Sequence, residues 1–214
     1  MIRGTDKDYY PLFMMRRLLL RTGILVLLAA WLALEPVQAQ RPSPLVYDDP
    51  VFEWTDNRDP EAPRPSPNAF VGLQIGSTRV LVAYGSPGVK ERTIFGNLVS
   101  YGNVWRTGAN EATTITFTDD VLVEGHEVPA GTYSLFTIPG RTEWIVILNK
   151  KNNQWGSQDY LASDDVLRIT CTPRQAEKRE RLAFYFENID PDAFSASVVL
   201  HWDTVKVSFK IEEP

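Results

Sequence analysis

Val205, Val207, Phe209 and Ile211 alternate with Thr204, Lys206, Ser208 and Lys210, one apolar and one polar residue in turn. A period of two sends successive side chains to opposite faces of an extended strand, so this segment must rest one face on a core and the other in water. The alternation recurs. Val80, Val82 and Tyr84 alternate with Arg79, Leu81 and Ala83, and Ile115 and Phe117 are set among threonines. In Trp144-Ile145-Val146-Ile147-Leu148 both alternating sets are apolar, the pattern of a strand covered on two faces. Gly76-Ser77, Asp119-Asp120, Glu124-Gly125, Pro139-Gly140 and Asp190-Pro191 punctuate the runs as turns. No segment after Asn68 carries the period of a long amphipathic helix, and Arg92 to Val99 is expected to hold at most one helical turn. Nine or ten strands follow, near 70–75, 78–84, 112–118, 121–123, 132–138, 142–149, 165–172, 181–188, 196–202 and 204–212. Many short strands with almost no helix imply two packed sheets or a closed barrel. The expected fold is all-β, an antiparallel, jelly-roll-like β-sandwich with two long ordered loops.

Ahead of that domain the chain has a different character. Met14-Met15-Arg16-Arg17 gives a positive start, Ile24 to Leu34 is apolar, and Val37-Gln38-Ala39 has the small-residue form of a cleavage site. The uncharged run of 13 residues falls short of the roughly 20 that span a bilayer, so residues 1–39 are expected to be a signal peptide. Asp6 and Asp8 suit such a signal poorly, which moves the expected start to Met14 or Met15. Residues 41–67 carry seven prolines. Proline fixes φ and removes a donor, so 40–67 reads as an extended linker, and 68–214 as the folded domain.

Composition then excludes several classes of partner. Residues 1–39 hold five of the 22 basic and three of the 27 acidic residues, so their removal takes the net charge from −5 to −7. Nucleic acid and anionic membrane surfaces both require clustered Lys and Arg, so neither is an expected partner, and no membrane association is expected once the signal is cleaved. Cys171 is the single cysteine, which rules out an intrachain disulfide; beside Leu167 and Ile169 it reads as a small buried apolar residue. His126 and His201 belong to no ligand-spaced cluster, so no metal and no cofactor is expected.

Two long stretches break the strand pattern: Gly85 to Asn110, and Lys150 to Asp164. Loops of such length are usually functional or disordered, and these carry Phe95, Tyr101, Trp105, Trp155 and Tyr160, which want a surface to pack on. The segments YGNVWRTGANEATTITF (101–117), VPAGTYSLFTIPGRTEWIVILNK (128–150) and QWGSQDY (154–160) resemble the domain-of-unknown-function 2911 family of exported bacterial proteins, over about Leu81 to Ile211. The resemblance implies a β-rich fold and a bacterial cell-envelope or secreted location, periplasmic or extracellular. It supplies no catalytic residue.

The candidate ligand-binding residues are therefore read from chemistry: Trp105, Arg106, Asn110, Glu111, Trp155, Gln158, Asp159 and Tyr160. Arg106 and Glu111 flank Thr107-Gly108-Ala109-Asn110, where Gly108 and Asn110 tolerate left-handed backbone. Two readings stand side by side. Arg106 and Glu111 form an ion pair that clamps the loop, or Arg106 grips a carboxylate or hydroxyl pair while Asn110 and Glu111 take polar hydrogens and Trp105 stacks. Trp155, ringed by Gln154, Gln158, Asp159 and Tyr160, is likewise either a plug for the sandwich or a platform for a sugar. The expected function is an exported binding domain for a small polar ligand, saccharide or peptide. The alternatives are a cell-envelope structural or adaptor protein with an envelope protein partner, and a hydrolase using Glu111 and Asp159 as its carboxylate pair.

Overall fold

The computed structural model describes residues 64–214. The expected signal peptide, and the Pro-rich stretch as far as residue 63, lie outside the described residues. Ten strands follow in order: β1 Asn68–Ile75, β2 Thr78–Gly85, β3 Thr114–Phe117, β4 Val121–Val123, β5 His126–Val128, β6 Gly131–Ile138, β7 Trp144–Asn149, β8 Asp165–Cys171, β9 Arg174–Glu187 and β10 Ser195–Glu212. They build two antiparallel sheets, six strands in the order β1-β2-β3-β6-β7-β8 and four in the order β5-β4-β10-β9. Among the described residues the one helical element is a 3-10 turn at Ala162–Asp164, and none is long and apolar enough to cross a membrane. The short helical turn expected at 92–99 is an irregular tight turn instead, closed by Val99 N–H donating to Ile94 O and by a bridge between Phe95 and Val99.

The two sheets pack through the side chains that the period-two pattern marks. Val80, Val82, Ile115, Phe117, Leu135, Trp144, Val146 and Leu148 from the larger sheet meet Leu182, Phe184, Val198, Trp202, Val207, Phe209 and Ile211 from the smaller. Cys171 joins this core as a buried thiol. A second, smaller cluster lies on the other face of the six-stranded sheet, where Phe136, Ile147 and Ala112 pack with Val104, Ile138, Ile145 and Tyr160. That cluster is why both alternating sets of β7 are apolar: the even positions face the sandwich and the odd positions face a cover of loop.

Three strand boundaries depart from the expected ones for stated reasons. The strands expected at 196–202 and 204–212 are one strand, because Asp203 takes a left-handed conformation (φ 54°) and inserts a bulge in place of a turn. β9 begins at Arg174, seven residues early, since its first half is an edge strand of solvated charges with no apolar alternation to mark it. β5 is three residues, too short to show a period.

Candidate functional site

The loop from β2 to β3 first pairs with the edge of β9, through Val89 N–H to Glu180 O and Leu182 N–H to Pro87 O. It then sends Ile94, Phe95 and Val99 into the core and returns alongside β6, where Trp105 and Thr137 exchange backbone hydrogen bonds. The ring of Trp105 turns into the sandwich. It stacks on Trp202 with centroids 5.9 Å apart, and its Nε1–H donates to Gly108 O. Alternation therefore places Val104 and Arg106 on the opposite, outer face of the six-stranded sheet, and Val104 is found in the outer cluster.

Backbone geometry after Arg106 is unusual. Thr107 sits at φ 57° and Asn110 at φ 67°. A β-branched residue rarely adopts such an angle, and Thr107 is held there by its hydroxyl, which contacts Trp105 O and Thr137 Oγ1, and by its carbonyl, which accepts from Thr113 Oγ1. The expected left-handed residue Gly108 does not take a positive φ. Its lack of a side chain serves close approach, since a Cβ there would lie 2.8 Å from Thr113 Oγ1 and 3.1 Å from Gly85 O.

The second loop, from β7 to β8, meets the first directly. Ala112 N–H donates to Gln154 O and Gly156 N–H to Asn110 O, a two-bond antiparallel bridge that sets Glu111 opposite Trp155. Arg106, Asn110, Glu111 and Trp155 are thus brought together. Gly156 (φ 67°) lies against Arg106, where a Cβ would stand 3.1 Å from Nη1. Trp155 is 44% exposed although anchored by the bridge. Gln158 and Asp159 are exposed on the following turn. Tyr160 is turned elsewhere: its ring packs edge-on against Phe136 at 5.1 Å, and its hydroxyl joins Asp165 Oδ2 and Arg168 Nη2 at 2.6 Å each.

The expected clamp between Arg106 and Glu111 is not how these charges are arranged. Glu111 accepts from Arg64 Nη1 with both carboxylate oxygens, at 3.2 and 3.3 Å. Arg106 shares only a through-space attraction with Glu111; burial pushes its guanidinium below the usual arginine value, and Glu111 partly opposes that shift. Arg106 Nε is buried with no hydrogen-bond partner. Gln154 Oε1, on the adjoining segment, is buried in the same condition.

Two residues of this arrangement carry no signal in the sequence. Arg64 lies within the Pro-rich stretch, yet it reaches Glu111, and Ser66 O accepts from Asn110 Nδ2 at 3.1 Å. Asn149, fully buried at the end of β7, holds the second loop from within. Its Nδ2 donates to Leu161 O and Asp165 Oδ1, while its Oδ1 accepts from Lys151 N–H and Gln154 Nε2. Of the histidines, His201 is buried between Tyr185 Oη and Glu177 O, a cross-strand framework role. Among the described residues no group of three or more His, Cys, Asp or Glu is placed to hold a metal ion.

Fold and site together define an antiparallel β-sandwich whose larger sheet carries, on its outer face, a polar site built by two bridged loops. Residues 66–211 match the family described as Protein of unknown function (DUF2911), and the chain belongs to that family. No curated protein and no solved structure matches the chain.

Proposed function

We propose that this is an exported domain, periplasmic or secreted, that binds a small polar ligand, a saccharide or a peptide, where the two loops meet. The unpartnered Nε of Arg106 carries the reading. A guanidinium drawn partly out of water normally has its planar donors satisfied by carboxylate or carbonyl oxygens, because an unmade hydrogen bond to a charged group is costly. Arg106 is kept from Glu111 by Arg64 and flanked by a glycine, so its donors suit a carboxylate or a pair of hydroxyls from outside. Trp155, opposite Glu111 on the bridge between the loops, supplies a partly exposed indole for the C–H face of a sugar or an apolar side chain. Asn110, with its amide committed to Ser66 O, frames the site.

Binding is better supported than hydrolysis by the Glu111 and Asp159 pair. A glycosidase sets one carboxylic acid in apolar surroundings near a second, ionised carboxylate. Glu111 is instead engaged by Arg64, and Asp159 is exposed. The adaptor reading gains nothing from Arg64 to Ser66, which hydrogen-bond to their own domain.

Calorimetric titration of the full chain with a panel of saccharides and short peptides tests the proposal. One of them is expected to bind, with affinity reduced about tenfold or more in Arg106→Gln by loss of a charge-assisted hydrogen bond. Absence of binding to every saccharide and peptide, or an affinity indifferent to Arg106→Gln, contradicts it.

A further inference from the structure

A cleft of about 300 Å³ opens between the two sheets at the end marked by the β6–β7 turn and the β8–β9 connection. Phe95, Tyr101 and Trp144 form its apolar lining, and Arg141, Arg174 and Gln175 its polar one. It is separate from the Arg106 site, which lies on the outer face of the larger sheet. We propose that this cleft is a second binding site, for a small aromatic acid whose ring rests on Phe95 and Tyr101, backed by the buried Trp144, and whose carboxylate or sulfonate is held by Arg141 and Arg174.

Three observations lead there. The aromatic lining is preformed: Phe95 meets Trp144 edge-on at 5.0 Å and is braced by Trp105 and Trp202, each at 6.1 Å, so a ligand ring meets a fixed surface of ring edges and faces. The charge is one-sided. No acidic residue lines the cleft, and Arg174 makes no ion pair among the described residues, although the chain as a whole is acidic. Arg141 lies over the ring of Tyr101 with its guanidinium carbon 4.9 Å from the centroid. A guanidinium over a ring keeps N–H donors to offer a planar anion. The size is selective as well: about 300 Å³ stands at the lower end of the range for ligand pockets, which suits one or two fused rings.

The probe is 2-naphthoate, with neutral 2-naphthamide as its counterpart, titrated calorimetrically into the full chain. One molecule of 2-naphthoate is expected to bind per chain, about tenfold or more tighter than the amide, as a charge-assisted contact to arginine implies. Arg141→Gln combined with Arg174→Gln should bring the acid down to the affinity of the amide. Both side chains are exposed, so circular dichroism is expected to show the fold intact. Gln175→Trp, at an exposed edge position paired with Val205 on the neighbouring strand of the same sheet, should fill the opening and abolish binding of both compounds. No saturable binding of 2-naphthoate, equal affinity of the unaltered chain for acid and amide, an acid affinity unchanged in the double arginine variant, or binding retained in Gln175→Trp would overturn the proposal.

Discussion

Arg106 and Cys171 show how burial acts on single groups of opposite kind. In Arg106 a permanent charge is drawn inward beside a strained Thr107, with its Nε lacking an acceptor. On the proposed reading, that arrangement is kept for a ligand and not for folding. In Cys171 burial suppresses a charge: desolvation, helped by the negative field of Glu124, pushes the thiol up to about 12. The thiolate is thereby disfavoured in the folded state more than in the unfolded one. The stability linked to the thiol is complete below pH 9 and is lost as pH rises through 9 toward about 12. Ellman's reagent at pH 8 should therefore leave the folded protein unlabelled and react once urea unfolds it, and Cys171→Ala should flatten the fall of the urea midpoint above pH 9. Prompt labelling of the folded chain would contradict the burial.

At the scale of elements, the sheets are the legible part and their attachments the illegible one. Strands such as β2 and the second half of β10 announce themselves because one face is apolar and the other is not. The doubly apolar Trp144–Leu148 likewise foretells a cover on the outer face. The first half of β9 gives no such sign, because an edge strand of charges satisfies water on nearly every side. Nor does Asn149, whose importance lies in four hydrogen bonds and not in any period. That amide ties the second loop to the end of β7 and so sets where Gln154 and Trp155 fall. Asn149→Ala should cost about 2–4 kcal/mol, since several buried polar groups lose partners together. Limited proteolysis should then cut within 150–161 first; an unchanged urea midpoint and an intact loop would show that the latch lies elsewhere.

Taken as a whole molecule, the sandwich is a platform with two distinct uses of its loops. The first half of the β2–β3 loop fills the core with Phe95 and Val99, while its second half crosses to the outer face and bridges to the β7–β8 loop. The sequence singled out Arg106, Glu111 and Trp155, whose segments the bridge between the loops brings together, from charged and aromatic residues gathered in long loops. It did not foretell that Glu111 belongs to Arg64, because a Pro-rich stretch carries no mark of where its last residues will dock. With Glu111 paired to Arg64, the role proposed for Arg106 is to hold a ligand at some expense to folding. Urea unfolding of Arg106→Met against the unaltered chain tests this most directly. Replacing a half-buried, unpartnered guanidinium by an apolar side chain of similar length should leave the midpoint unchanged or raise it. A loss of about 3 kcal/mol or more, the cost of breaking a buried ion pair, would show that Arg106 is a structural clamp after all.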